Sequence, residues 1–330
     1  MRTLLVACGC FALLGVFGLS ACGSDTPPAN AAGSAGTSGS GSAGVGGLVN
    51  SSNPPPEEIA QWPMPNSAEL ALPNPADYDA ETTPGVVHDR VTALDWLQDP
   101  GLESYTRADA LDRCAGLSFA GFDDWRLPAF IELISLFNAV PNEADPLDPS
   151  YIAPVFQARG RFWAASALSE SGLGRLLDFT AAGCGTSPLC SIGVAGKADE
   201  LLGGAFCVRN SEPPTTSARY ETDGERVTDL RTGLSWQGVP AAVQTVGHSE
   251  ALSACGALGD GARLPSINEL LSILVPLLDK KAFPNWPAEA FAWSSSSIPA
   301  KPDSYWVAAT GGATRAELST AHHRVQCVVR

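Results

Sequence analysis

Arg126 and Arg263 each precede Leu-Pro and stand six residues before a glutamate, Glu132 and Glu269. A planar guanidinium fork suits a carboxylate or sulfate, whether a ligand supplies it or the chain itself does. Because arginine, Leu-Pro and glutamate recur together, the favoured reading is an internal ion pair locking a helix to a sheet. Arg126 and Arg263 remain the ligand-binding candidates if the fork faces outward. Trp125 and Trp306 are the aromatic candidates for stacking on a sugar ring in a groove, whereas Trp96, Trp163, Trp236 and Trp293 sit at motif positions that suit a core. Ser294 to Ser297 lack the G-x-S-x-G elbow of a nucleophile and read as a polar edge strand or turn. Adjacent His322 and His323 would point to opposite faces of a strand, so they do not form a metal pair; one is expected exposed and one at the core edge. Asp123, Asp124, Glu143, Asp145 and Asp148 form the densest carboxylate set. They lack the D-x-D-x-D-G spacing of a calcium loop, and the cysteines lack the C-x-x-C spacing of a zinc site, so calcium is the cofactor that this set leaves open and no metal ligands are assigned. No phosphate loop, dinucleotide fingerprint or Ser/His/Asp arrangement is present in the sequence.

These residues are held by one plan written twice. Val87 to Trp96, Cys114, Arg126-Leu127-Pro128 with Glu132, Trp163 to Ser166 and Cys207-Val208-Arg209 recur in order. Their counterparts are Val227 to Trp236, Cys255, Arg263-Leu264-Pro265 with Glu269, Trp293 to Ser296 and Cys327-Val328-Val329. The offset drifts from 140 (Val87 to Val227) to 120 (Cys207 to Cys327), so the chain is a tandem duplication. Each copy reads as α+β. A hairpin over Val87–Trp96 or Val227–Trp236 comes first, with Gly233 free to take positive φ in the second turn. Helices follow over Thr106–Ala115 and Ser249–Ala257. Leu111 with Cys114, and Leu252 with Cys255, are three apart and place each cysteine on a buried side. A second helix is expected over Ala129–Val140, with Ile131, Leu133, Ile134 and Phe137 facing the core, and its counterpart begins at Pro265 with a Ser266/Glu269 capping box. Strands are expected at Arg161–Ser166, Leu176–Thr180, Tyr305–Thr310 and around Cys207 and Cys327.

Nine cysteines are present. Cys8 and Cys10 lie in an N-terminal apolar stretch behind Arg2, too short and glycine-rich for a membrane span, which reads as an export signal. It ends in Leu19-Ser20-Ala21-Cys22, which resembles a bacterial lipobox. The resemblance implies cleavage after Ala21, lipidation of Cys22 and membrane attachment through lipid; Gly23 in the next position favours the outer membrane. In an oxidising compartment the remaining six cysteines pair by default. The duplication selects Cys114–Cys207 and Cys255–Cys327, and leaves Cys184 and Cys190 to bridge locally. A net charge of −15, from 35 acidic and 20 basic residues, speaks against nucleic-acid partners and against polyanions. The expected boundaries are a signal over 1–22, a disordered Gly/Ser/Ala then Pro-rich tether over 23–80, domains over 81–210 and 218–330, and a linker over 211–217 across which few contacts should pass.

The runs Thr232-Gly-Leu-Ser-Trp-Gln237, Asp123-Asp-Trp-Arg-Leu-Pro128 with Glu132-Leu133, Trp293-Ser-Ser-Ser296 and Cys207-Val-Arg209 resemble the Lcl C-terminal domain family, named after the C-terminal domain of a collagen-like bacterial adhesin. The resemblance covers about 86–210 and 220–330. It implies two disulfide-closed α+β domains of C-type-lectin-like or formylglycine-generating-enzyme-like architecture. It also implies a role in attachment, with an extracellular glycan, sulfated glycosaminoglycans in the adhesin, or a surface protein as partner. The chain has no collagen-like Gly-X-Y repeat, and its acidity sits against a sulfated ligand. The expectation is therefore a non-catalytic, lipid-anchored binding module of the cell envelope. A structural role in envelope assembly is the alternative, and an enzyme of the formylglycine-generating fold is disfavoured because every cysteine has another use.

Overall fold

Each hairpin turn is built around a buried aspartate. The backbone of Asp89 pairs with Leu94 and Ala93, and that of Asp229 with Leu234 and Gly233. The fourth turn residue takes positive φ in both copies, +69° at Gly233 and +59° at Ala93. Glycine does this freely, whereas Ala93 bears the left-handed penalty of about 1–2 kcal/mol. In this computed structural model the described residues are 59–142, 150–168, 173–180, 193–197, 201–210, 219–238, 245–259, 261–275, 283, 286, 290–298 and 301–329.

In the first copy β1 (Tyr78–Asp79), β2 (Val86–Asp89) and β3 (Asp95–Leu97) precede α1 (Arg107–Ala115) and α2 (Phe130–Ser135). They are followed by β4 (Phe137–Asn142), β5 (Ser150–Ile152), β6 (Arg161–Leu168), β7 (Leu173–Asp178), β8 (Gly193–Lys197) and β9 (Val208–Arg209). The second copy runs β10 (Tyr220–Asp223), β11 (Arg226–Asp229), β12 (Ser235–Gln237), α3 (His248–Gly256), α4 (Ile267–Leu274), β13 (Ala292–Ser297), β14 (Ser304–Ala308), β15 (Thr314–Leu318) and β16 (Val328–Val329). The sheets are antiparallel and match between copies: β1-β2-β3-β9 with β10-β11-β12-β16, and β6-β7-β8 with β13-β14-β15. The fold is α+β, as the sequence implies. The hairpin registers Val87↔Trp96 and Val227↔Trp236 bury both tryptophans. Cys114–Cys207 and Cys255–Cys327 are bridged, with Cα–Cα distances of 5.4 and 5.5 Å, and each ties a first helix to the residue before the closing strand. Cys184 and Cys190, with the local bridge expected of them, lie outside the described residues, as do Cys22 and the segment expected to be a signal.

Three expectations are corrected. The buried stripe on α3 is His248, Ala251 and Cys255, while Leu252 is exposed. The small alanines Ala110 and Ala251 let each first helix approach its sheet, so the cysteine pairs four apart rather than three. The helix expected to reach Val140 stops at Ser135. From Phe137 the chain pairs with β5 instead, and Pro141 has no amide hydrogen for a continuing helix. Most consequential, residues 59–80 are not tether: Ala60, Trp62 and Met64 are buried, and β1 is an edge strand of the first sheet.

The third correction follows from how the copies meet. Every residue of α2 and of α4 is buried, including the faces that one isolated copy would leave to solvent. The two helices pack against one another, and Trp306 of the second copy inserts edge-on against Phe137 and Tyr151 of the first. One hydrophobic cluster therefore runs through both copies, where sparse crossing contacts were expected. A smaller cluster around Trp293 backs the second disulfide. The segment before β1 crosses this junction. Asn268 on α4 donates to the carbonyls of Pro65 (2.6 Å) and Phe137 (3.0 Å), and the Ala139 amide donates to Ser67 Oγ (2.7 Å). Side chains the size of Trp62 and Met64 each contribute about 1.5–3 kcal/mol on burial. A fragment beginning at Ile59 is accordingly expected to keep the stability of the full-length chain, while one beginning at Glu81 loses about 3–6 kcal/mol in urea unfolding.

Candidate functional site

Both arginine forks are filled by the chain's own glutamates. Arg126 reaches Glu132 at 2.7 and 2.6 Å, and Arg263 reaches Glu269 at 2.7 and 2.7 Å. Each Oε2 also accepts an N-cap amide, from Ala129 or Ser266, at 2.8 Å. Ser266 Oγ returns the bond by accepting from the Glu269 amide; Ala129 has no oxygen to do so. The pairs thus fasten the start of α2 and α4 to residues that bridge the closing strands, Arg126 to Val208 and Arg263 to Val328.

The Trp-x-x-Ser run has a parallel structural use. The indole N–H of Trp163 donates to the Tyr105 carbonyl, and that of Trp293 to Val246, both at 2.8 Å. Three residues on, Ser166 and Ser296 accept the first amides of α2 and α4, at 3.2 and 3.0 Å. The expectation that Trp125 and Trp306 offer open ring faces is corrected: they are 2% and 0% exposed. Trp125 packs on Phe119 and donates to its carbonyl, and Trp306 lies in the junction between copies. His322 is exposed and His323 buried, as strand alternation requires. Of the carboxylate set, Asp124 accepts Arg209 Nε at 2.7 Å, whereas Glu143, Asp145 and Asp148 lie outside the described residues. Among the described residues no group of three or more His, Cys, Asp or Glu side chains is placed to hold a metal.

What the sequence reading missed is a polar row across the first sheet. Asp79, His88, Asp95 and Arg209 are direct cross-strand partners on β1, β2, β3 and β9, and so share one face. His88 Nδ1 lies 2.7 Å from Asp95 Oδ1, with 44% of the histidine side chain exposed. Asp95 Oδ2 accepts from Arg209 (2.7 Å) and Asn210 (2.5 Å), and Arg209 lies 3.6 Å over the Phe122 ring. Asp79 is held by the amides of Glu81 and Thr82, by the Thr82 hydroxyl and by Arg90, which keep its pKa at about 2. The second copy places Glu221, Thr228, Ser235 and Val329 in the same row, so the charge pattern belongs to the first copy alone. The signal for it was present: alternate strand residues of the first hairpin are charged where those of the second are mostly hydroxylated. Chemically, the row offers carboxylates, an imidazole and a guanidinium on a rigid sheet, a set suited to hydrogen bonding with hydroxyl or amide groups.

The second copy has a histidine pair that sequence spacing did not join. His248 stacks on Tyr305, with centroids 3.4 Å apart, and its Nε2 lies 3.0 Å from the Ser294 carbonyl oxygen; His323 packs edge-on against Trp293. Burial lowers the pKa of both. His323 falls to about 4, with Arg315 and His322 adding to the effect.

Residues 85–183 and 225–329 match the Lcl C-terminal domain, and the two matches together span more than half of the 330 residues. The chain belongs to the Lcl C-terminal domain family, in a tandem form. Comparison with curated proteins returned no match. Among the described residues no helix is long and apolar enough to cross a membrane.

Because the folded pKa of His323 lies below its unfolded value, neutral His323 favours the fold above about pH 6.5, and that contribution is lost as pH falls towards about 4. Unfolding midpoints are expected to drop over this interval, and His323→Gln to flatten the drop. Equal slopes in variant and parent would contradict the assignment.

Proposed function

We propose that this protein is a non-catalytic recognition module of the cell envelope, held at the outer membrane by lipid on Cys22 and acting in attachment to a glycan or a surface protein. The observation that carries the reading is the tandem Lcl C-terminal domain, since the family takes its name from an adhesin. On this reading each copy is a variant of the C-type-lectin-like or formylglycine-generating-enzyme-like architecture. The paired disulfides and small antiparallel sheets are compatible with it.

Three features support binding without chemistry. The cysteines described are committed to disulfides, the arginine forks to internal glutamates, and the repeated serines to helix caps. On the first sheet, His88 of the polar row and Asp124, paired with Arg209, are exposed, with Asp79 and Arg209 mostly covered beside them, and together they form a hydrogen-bonding surface. Its carboxylates and the chain's net charge of −15 favour a neutral, hydroxyl-rich partner over a sulfated one.

A glycan array probed with residues 59–330 tests the proposal. Retention on neutral glycans, reduced at least tenfold by a His88→Ala, Arg209→Ala double variant that remains folded, is expected. Retention on no glycan, together with no loss of cell-surface attachment on deleting the protein, would overturn it.

A further inference from the structure

We propose that the first copy holds a binding site for a guanidinium or ammonium group beside Asp89, in the place that Arg219 fills in the second copy. The inference goes beyond the attachment reading and does not depend on it, because the ligand chemistry and the face of the molecule are different.

The second copy displays the completed arrangement. Asp229 ends β11, is fully buried, and turns one carboxylate oxygen to the Arg231 amide at 3.0 Å. Its other oxygen accepts Nε and an NH2 of Arg219 at 3.1 and 2.7 Å. The same guanidinium donates to the Ser272 carbonyl in the last turn of α4, at 2.7 Å. A buried cation thus joins the hairpin turn to the end of the second helix, and the pair is 7% and 0% exposed.

The first copy repeats everything except the cation. Tyr78 faces Asp89 across β1 and β2 as Tyr220 faces Asp229 across β10 and β11. Asp89 is also fully buried, and its Oδ1 accepts the amides of Val91 and Thr92 at 2.9 and 3.3 Å. The residue before Tyr78, however, is Asp77 where the second copy has Arg219. Asp77 lies at the surface, paired with Arg90 at 2.8 Å. Asp89 Oδ2 consequently has no hydrogen-bond partner among the described residues. A buried carboxylate oxygen left so is costly, about 1–3 kcal/mol or more for a charged group. Burial pushes the pKa of both Asp89 and Tyr78 up, and the Asp89 carboxylate adds to the effect on the Tyr78 phenol.

There is also room. Ser135, the counterpart of Ser272, lines a cavity of about 90 Å³ together with Tyr78, Asn138 and Ser67, with Glu69 at its rim. A water takes about 30 Å³ of liquid volume, so the space admits a small planar or tetrahedral cation. Asp89 is fully buried and not in the cavity wall, but its direct cross-strand partner Tyr78 is. A cation entering beside Ser135 therefore reaches the carboxylate when the Tyr78 ring yields, and there meets the kind of acceptor that Arg219 satisfies in the second copy. The acidic surface of the chain would raise the local concentration of such a cation.

Calorimetric titration of the full folded protein tests this with three probes: methylguanidinium, agmatine and a short unstructured peptide with one central arginine. One-site, saturable binding of at least one probe is expected. Asp89→Asn, which keeps the turn bonds of Oδ1, should weaken it at least tenfold. Asp77→Arg should abolish it by filling the place from within, as Arg219 does. Binding of methylguanidinium or agmatine without the peptide would identify a small free cation as ligand, and binding of the peptide an arginine side chain of a partner protein. No saturable binding by any probe, or affinity unchanged in both variants, would overturn the proposal.

Discussion

The structure depends on the burial of α2 and α4 against one another. Neither helix has a polar face: Phe130 to Ser135 and Ile267 to Leu274 are covered on all sides, by their own sheets on one side and by the other copy on the other. A helix covered all round is stable only inside a core, so neither copy offers a complete core alone. What began as a duplication of one domain has become a single body whose two halves share apolar surface. Trp306, edge-on against the stacked Phe137 and Tyr151, is one of the side chains exchanged across the junction.

Around that junction the repeated motifs are positioning devices. Arg126 and Arg263, their glutamates, and the serines three residues after Trp163 and Trp293 all converge on the first turn of α2 or α4. Each disulfide then clamps a first helix to the end of the chain that closes its sheet. One covalent link and one ion pair fix the same three elements in each copy, the first helix, the second helix and the closing strand. With the repeated residues occupied in this way, the capacity to differ falls to places where the copies diverge. Asp95 against Ser235, Arg209 against Val329 and Asp77 against Arg219 are such places, and they are where ligand chemistry is argued to lie.

Much of the fold was legible in the sequence because duplication supplies its own alignment. The hairpins, the helix starts, the pairing of Cys114 with Cys207 and of Cys255 with Cys327, and the Arg–Glu locks were readable from recurrence alone. The end of α2 was not, because the sequence from Phe137 to Val140 is compatible with helix until β5 pairs with it. Trp62 and Met64 stand among prolines, with no periodic pattern to announce burial, and the segment that carries them is held by Asn268 and Ala139, far away in sequence. Trp306 misled for a related reason: an aromatic residue bound for another copy's core looks, within its own copy, like one left at the surface. The polar row from Asp79 to Arg209 escaped notice because cross-strand neighbours on four strands are far apart in sequence.

Differential scanning calorimetry of residues 59–330 with both described disulfides intact tests the shared core most directly. The account requires one transition whose calorimetric and van't Hoff enthalpies agree, and requires Trp306→Ala, a change in the second copy, to lower the stability of the first copy's hairpin as strongly as that of the second's. Two separable transitions, with the variant shifting one and leaving the other in place, would mean that the copies are independent domains in contact and would contradict the account.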